Sequence, residues 1–186
     1  MIIGIGHQRG VGKDVAAMFM VQEFHQQYPT IGRTIKHASF AEPLYEVCEM
    51  LYAWAGFRTA NYYNQNRAEK EEVLPLLGKS PRQILIEMGM KVREIIPSTW
   101  VDYGMNQSHE IVIFSDMRFP NEAEAIKKAG GICVKITRPG LPLVEDPNDP
   151  DNQLSGFDDW DYHIVNDGSM KDYEKQIASF VEALKE

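Results

Sequence analysis

The feature that most constrains this fold lies in the first 27 residues, where a short apolar run leads through a glycine-rich loop into a helical segment. Residues 2–6 read IIGIG, a run typical of a buried strand in a parallel sheet. Residues 13–27 carry apolar side chains on most sides, which predicts a helix packed deep against that sheet. The connecting stretch reads GHQRGVGKD. A strand, a tight loop and a helix in this order predict the start of an α/β fold.

The same alternation continues along the chain. Further strands are predicted at residues 34–39, 110–115, 132–137 and 162–165, and helices at 43–56, from Pro81 onward, at 121–129 and at 170–184. We therefore expect an α/β three-layer sandwich, in which a five-stranded parallel sheet carries helices on both faces. Ligands of such sheets bind at the carboxyl ends of the strands.

Two segments interrupt this alternation. Residues 59–79 are polar and without a clear period, which predicts an exposed, mobile insertion. Residues 138–161 are rich in proline, aspartate and glycine and contain no lysine or arginine after Arg138, which predicts a loop or lid. With 186 residues, the whole chain 1–186 is expected to form one domain.

Composition narrows the classes of function. The formal net charge is −8, which argues against broad binding to nucleic acid or to an anionic membrane. Cys48 and Cys133 are far apart and form no C-x-x-C motif, so we expect two reduced thiols in the core of a cytoplasmic protein. No apolar segment approaches membrane-spanning length. A small anionic ligand in a basic cleft remains compatible with this charge.

The glycine-rich stretch resembles the phosphate-binding pattern G-x-x-x-x-G-K-[ST], with two departures. His7 stands in place of the first glycine, and Asp14 in place of the hydroxyl residue. Gly10, Gly12 and Lys13 fill the tightest part of the loop, where backbone N–H groups and a lysine can converge on phosphate. The alternative is a glycine-rich turn with an incidental lysine.

Carboxylates and arginines elsewhere could complete such a site. Asp14 and Asp116 are hard oxygen donors suited to Mg²⁺, and Arg118 could hold phosphate. The alternatives are charge compensation at a helix N-terminus for Asp14 and a solvated salt bridge for Asp116 with Arg118. Arg82 and Arg93 could hold a nucleoside monophosphate or form the solvated face of a helix. The histidines at positions 7, 37 and 163 lack metal-ligand spacing and are expected to be structural.

Seven motifs occur in order along nearly the whole chain: GVGKD at 10–14, SFAEPL at 39–44, GKSPRQILIEMG at 78–89, STWVD at 98–102, SDMRFPNEAEAIKKAGG at 115–131, ITRPG at 136–140 and IVNDGS at 164–169. Together they resemble the deoxynucleoside monophosphate kinases of bacteriophages, within the P-loop nucleoside monophosphate kinases. The resemblance implies a P-loop fold and transfer of the γ-phosphoryl group of ATP to a deoxynucleoside 5′-monophosphate.

The resemblance also implies roles for particular residues. The ATP phosphates would be held by Gly10, Val11, Gly12, Lys13, Asp14 and Val15, with Mg²⁺ near Asp14 and Asp116. The acceptor phosphate would be held by Arg82, Arg93 and Arg118, and the acceptor site, in the region 39–103, would be bordered by Ser39, Phe40 and Pro43. Asn166, Asp167 and Gly168 would lie near the ATP base. Catalysis would depend on Lys13, Asp116, Arg118 and Arg138, with Arg9 a weaker candidate.

Departures from the family pattern leave alternatives open. Relatives often have a His-x-Ser-Glu-like segment in the lid, where this chain has QLSG at 153–156, and many have lid arginines where this lid is acidic. The chain could therefore be a kinase of another small phosphorylated acceptor, such as dephospho-coenzyme A, or a nucleotide-binding module without catalysis. The accepted bases, the choice between deoxyribose and ribose, and the oligomeric state, for which a homodimer is one expectation, stay open. A phage-encoded protein would work in the host cytoplasm.

Overall fold

The computed structural model describes residues 1–27, 34–142 and 149–184. The chain divides into two compact units. The first comprises Met1–Ser39 and Met105–Glu186, and the second comprises Phe40–Gly104. The expectation of one domain over the whole chain stays a prediction.

The first unit contains a parallel sheet of five strands: β1 (Ile2–Gly6), β2 (Ile35–Ala38), β3 (Ile111–Met117), β4 (Ile132–Thr137) and β5 (Tyr162–Val165). Their order in the sheet is β2-β3-β1-β4-β5, and every neighbouring pair is parallel. The predicted five-stranded parallel α/β sheet is confirmed. Strand β1 is central in the sheet, and the glycine-rich loop connects its carboxyl end to α1. The loop therefore lies at the middle of the carboxyl edge of the sheet.

The helices of the described residues are α1 (Lys13–Gln27), α2 (Glu42–Tyr52), α3 (Ala60–Gln65), α4 (Pro81–Ile95), α5 (Thr99–Met105), α6 (Pro120–Lys128) and α7 (Met170–Ala183). Short 3₁₀ helices cover Ala53–Ala55 and Pro150–Asn152. None of the helices described is both long and apolar enough to cross a membrane.

Alternation along β1 places helices on both faces of the sheet. Ile3 and Ile5 are fully buried in a cluster with Met20 of α1 and Ile177 of α7. Gly4 points to the opposite face, where an added Cβ would lie 2.4 Å from Cδ1 of Ile126 in α6. The three-layer arrangement is therefore confirmed: α1 and α7 cover one face, and α6 covers the other.

Local signals in the sequence explain where the helices of this unit begin. At α6, the Glu122 carboxylate accepts hydrogen bonds from the backbone N–H groups of Arg118 and Phe119, at 2.7 and 3.1 Å. At α7, Ser169 and Asp172 form a reciprocal capping box. The S-x-x-D spacing at residues 169–172 predicts such a capping box, and the structure confirms it.

The second unit has a core of its own. Its buried cluster consists of Leu44, Cys48, Phe57, Tyr63, Ile84, Leu85 and Trp100. The expectation of an exposed, mobile insertion at 59–79 is wrong in part, because α3 lies within it and Tyr63 is only 2% exposed. The backbone N–H of Arg58 donates to the Tyr63 hydroxyl at 3.0 Å, so one buried aromatic side chain organises a segment of polar composition.

Three further details differ from the sequence expectations. Strand β3 extends to Met117, so Asp116 lies inside the strand and not after it. Helical spacing places Met170 in line with Tyr173 and Ile177 and so predicts a buried side chain, but Met170 is 63% exposed. The described part of segment 138–161 is not a plain loop, because the 3₁₀ helix Pro150–Asn152 buries Asp151.

Candidate active site

The loop between β1 and α1 contains three residues with positive φ. His7, Gly10 and Gly12 have positive φ values of 99°, 84° and 104°. Position 7, where the pattern has glycine, therefore keeps the left-handed conformation that glycine adopts most easily. His7 therefore differs from the glycine of the pattern in its side chain but has the positive φ that glycine favours.

Lys13 is folded back onto this loop. Its Nζ donates hydrogen bonds of 2.6 Å to the carbonyl oxygens of His7 and Gln8, and the residue is 7% exposed. Burial, with a smaller contribution from the neighbouring Arg118, lowers the pKa of Lys13 to about 8, although nearby carboxylates oppose the shift. The lysine is thus a desolvated cation held at the loop.

Asp14 is oriented by a hydrogen-bond chain from two neighbouring strands. Ser115 Oγ donates to Asp14 Oδ1 at 2.9 Å, and His37 Nε2 lies 2.8 Å from the same Ser115 oxygen. A serine hydroxyl has one proton, which Asp14 receives, so His37 Nε2 is the donor to Ser115. His37, expected to have only a structural role, joins the site through this chain. Its position two residues before Ser39 is the only sequence signal for it.

Asp116 is held by a second hydroxyl. Ser39 Oγ, just after β2, donates to Asp116 Oδ2 at 2.6 Å. Ser115 and Asp116 are successive residues of β3, so the hydrogen bonds Ser115–Asp14 and Ser39–Asp116 bring these side chains to the same end of that strand. The sequence prediction that brings Asp14, Asp116 and Ser39 to one site therefore agrees with the geometry, although their ligands stay a prediction.

Arg118 pairs with Asp151, a residue that no sequence motif marks. Its Nη1 lies 3.3 Å from Oδ1 of Asp151, whose side chain is 0% exposed. The Asp151 carboxylate also raises the pKa of Lys13, in opposition to the effect of burial. No motif or period marks Asp151 in the sequence, because aspartates are frequent throughout that segment. The side chain is recognisable only by its burial against Arg118.

Asn166 and Gly168, both expected near the ATP base, have different surroundings in the structure. Asn166 Nδ2 donates to the carbonyl oxygen of Val11 at 2.9 Å, so its amide contacts the loop. Gly168 lies just before α7, where an added Cβ would be 3.0 Å from the Asp172 Cβ. Val15 packs against the buried cluster beneath α1, and Arg138 is exposed directly after β4.

The remaining predicted ligands lie in the second unit. Phe40 is 2% exposed, and Arg93 lies in the last turn of α4. The Arg82 side chain is 14% exposed, with its Nε 3.9 Å from Glu71 Oε1, so the alternative of a fully solvated arginine is wrong for Arg82. The phosphate roles of Arg82 and Arg93 stay predictions.

The donor set of the first unit suits a phosphate chain with one small divalent cation. Lys13 and Arg118 supply positive charge, and Asp14 and Asp116 supply carboxylate oxygens held by Ser115 and Ser39. Mg²⁺ in nucleotide sites is bound through one or two carboxylates together with phosphate oxygens and water. Among the described residues, no group of three or more His, Cys, Asp or Glu side chains is placed to hold a metal ion.

Comparisons with known proteins found one similar curated protein and a set of similar solved structures. The chain is 27% identical over 199 residues to a protein of Acanthamoeba polyphaga mimivirus named "Putative deoxynucleotide monophosphate kinase", covering 98% of this chain and 96% of that protein. Among solved structures, shikimate kinase from Aquifex aeolicus vf5 matches with a TM-score of 0.45 and 13% identity, over 100% of this chain and 98% of that one. No protein-family model matches the sequence.

Proposed function

We propose that this chain is a nucleoside monophosphate kinase, which transfers the γ-phosphoryl group of ATP to deoxynucleoside 5′-monophosphates. The observation that carries the proposal is the loop itself, with positive φ at three positions and the buried Lys13 at its end. Similarity to the mimivirus protein over nearly the full length of both chains supports the acceptor class. The two buried, reduced cysteines support a cytoplasmic location.

The loop residues 10–15 hold the phosphates of ATP in this proposal. Backbone N–H groups at the start of α1 converge on the anion, and the partial positive charge of the helix N-terminus adds to them. Lys13 turns from the carbonyl oxygens of His7 and Gln8 toward the β- and γ-phosphates. Because it is already desolvated, its charge acts on the phosphates with little screening.

Asp14 and Asp116 are the residues that would hold Mg²⁺. The chemistry that Mg²⁺ would supply there is positive charge beside the phosphates. Ser115 orients the Asp14 carboxylate and Ser39 orients the Asp116 carboxylate, so both groups are fixed before nucleotide arrives. This arrangement explains how an aspartate can serve where the usual pattern has a hydroxyl.

The acceptor phosphate is assigned to Arg82, Arg93 and Arg118, and the border of the acceptor site to Ser39 and Phe40, as the resemblance of the sequence motifs implies. Arginine suits this role because its planar guanidinium can donate two parallel hydrogen bonds to phosphate. No general base is required, since a monophosphate is already an anionic nucleophile. Arg138 would add positive charge beside the transferred group, and closure of the lid 138–161 would exclude water.

The experiment is a coupled ADP-release assay with Mg-ATP against a panel of deoxy- and ribonucleoside monophosphates, with the diphosphate identified by chromatography. Lys13→Ala should abolish transfer, while Lys171→Ala, on the exposed side of α7, serves as the matched control. Diphosphate formed from deoxynucleotides and lost in Lys13→Ala supports the proposal. Product from dephospho-coenzyme A alone, or tight ATP binding without any product, would replace it with one of the two alternatives.

A further inference from the structure

Two side chains near the end of the chain bind the backbone of the glycine-rich loop. Asn166, directly after β5, donates from Nδ2 to the Val11 carbonyl oxygen at 2.9 Å. Tyr173, in the first turn of α7, donates from its hydroxyl to the Gly12 carbonyl oxygen at 3.1 Å. Tyr173 is 1% exposed, and its ring packs edge-on against Phe19 of α1. The loop is therefore fixed at two successive carbonyl groups.

The contact is closest at Gly12. An added Cβ there would lie 2.8 Å from Asn166 Nδ2 and 3.3 Å from Tyr173 Cε1. The Gly12 carbonyl also accepts the helical hydrogen bond from the Ala16 N–H at 2.9 Å, so both of its lone pairs are used. Rotation of this peptide group would break two hydrogen bonds at once.

Fixing these carbonyls also fixes the N–H groups that face the opposite way. A peptide unit is planar, so the Val11 carbonyl and the Gly12 N–H share one rigid plane. The Gly12 carbonyl and the Lys13 N–H share the next plane. These two N–H groups belong to the part of the loop assigned to phosphate.

We propose that Asn166 and Tyr173 are positioning residues of the phosphate loop, which aim the N–H groups of Gly12 and Lys13 at the nucleotide phosphates. The inference rests on the proposed function and gives Asn166 a different role from the one expected beside the ATP base. A side chain that contacts the base affects the binding affinity only of ligands that have a base. A side chain that aims the loop affects the binding affinity of any polyphosphate.

The test measures binding of two probes, ATP and inorganic tripolyphosphate, by isothermal titration calorimetry. The variants are Asn166→Ala and Tyr173→Phe, and the latter keeps the ring packed while removing the donor. Asn106→Ala and Tyr162→Phe, at exposed positions of the same unit, are matched controls. Each positioning variant should bind both probes about fivefold more weakly, the effect of losing roughly one hydrogen bond, and should leave the KM for the acceptor unchanged.

The outcomes distinguish a failure of the positioning role from a failure of the proposed function. If Asn166→Ala weakened ATP binding but not tripolyphosphate binding, the side chain would contact the base and the positioning role would be overturned. Wild-type affinity for both probes in Tyr173→Phe, with a folded circular dichroism spectrum, would overturn it equally. If the wild-type protein bound neither probe, the proposed function would fail and the positioning role with it.

Discussion

The hydroxyl of Ser115 donates a hydrogen bond of 2.9 Å to the carboxylate of Asp14, across 101 positions of sequence. The aspartate that replaces the usual loop hydroxyl is thus itself held by a hydroxyl, supplied by the neighbouring strand β3. His37 donates to the same serine and extends the chain to β2. The departure from the usual loop pattern therefore comes with partners in the sheet that support it.

Removing the Ser115 hydroxyl should weaken metal use more than folding. In Ser115→Ala, the Asp14 carboxylate loses a donor that fixes its rotamer, so we expect the Mg²⁺ concentration for half-maximal transfer to rise about fivefold. A Mg²⁺ titration of the kinase rate checks this. Ser179→Ala, on α7, is the control. An unchanged Mg²⁺ dependence in Ser115→Ala would remove Ser115 from the metal site.

Position 7 should prefer glycine for stability. The φ of 99° at His7 is costly for any side chain with a Cβ, and Nδ1 of His7 is buried without a hydrogen-bond partner among the described residues. Both His7→Gly and His7→Ala remove the ring, but only His7→Gly removes the backbone penalty. We expect His7→Gly to have a free energy of unfolding about 1 kcal/mol higher than that of His7→Ala in urea denaturation. Equal values would show that this backbone carries no strain.

Gly12 should tolerate no side chain. Its φ is 104°, and an added methyl would meet Asn166 Nδ2 at 2.8 Å. Gly12→Ala should therefore lower the free energy of unfolding by about 1–2 kcal/mol and reduce ATP affinity at least tenfold, because the loop must shift. Gly156→Ala, where no atom lies within 4 Å and φ is not positive, is the control. Thermal unfolding and calorimetry measure the two effects.

The two cysteines should be inert in the folded protein. Burial raises the pKa of the Cys48 thiol to about 11, and burial raises the pKa of Cys133 to about 11 as well. Thiolate is the reactive form, so at pH 8 both groups are almost wholly protonated. Iodoacetamide should label neither within an hour at pH 8 and should label both in urea, as counted by intact mass. Rapid labelling of one cysteine without denaturant would mean that its surroundings open readily.

Much of the fold could be predicted because its signals are local. Apolar runs such as residues 2–6 and 132–137 identified all five strands, and alternation with helices identified a parallel sheet. The helix α3 was missed because its segment has no apolar period, and it contacts the second core through the buried Tyr63 and the partly buried Tyr62. Helix α5 gave too short a pattern to be recognised, although its Trp100 donates to the Gly89 carbonyl at 3.1 Å inside the second core.

The sequence by itself determined the glycine-rich loop, its lysine and its place after the first strand, because these depend on neighbouring residues. Only the tertiary structure decided which side chains hold that loop and its charges. Asn166 reaches Val11 across 155 positions, and Asp151 is buried against Arg118. Such pairs arise when the sheet brings the ends of separate strands to one edge, and a sequence pattern has no period at that range. The loop is a local property of the chain, whereas the site around it is a property of the fold.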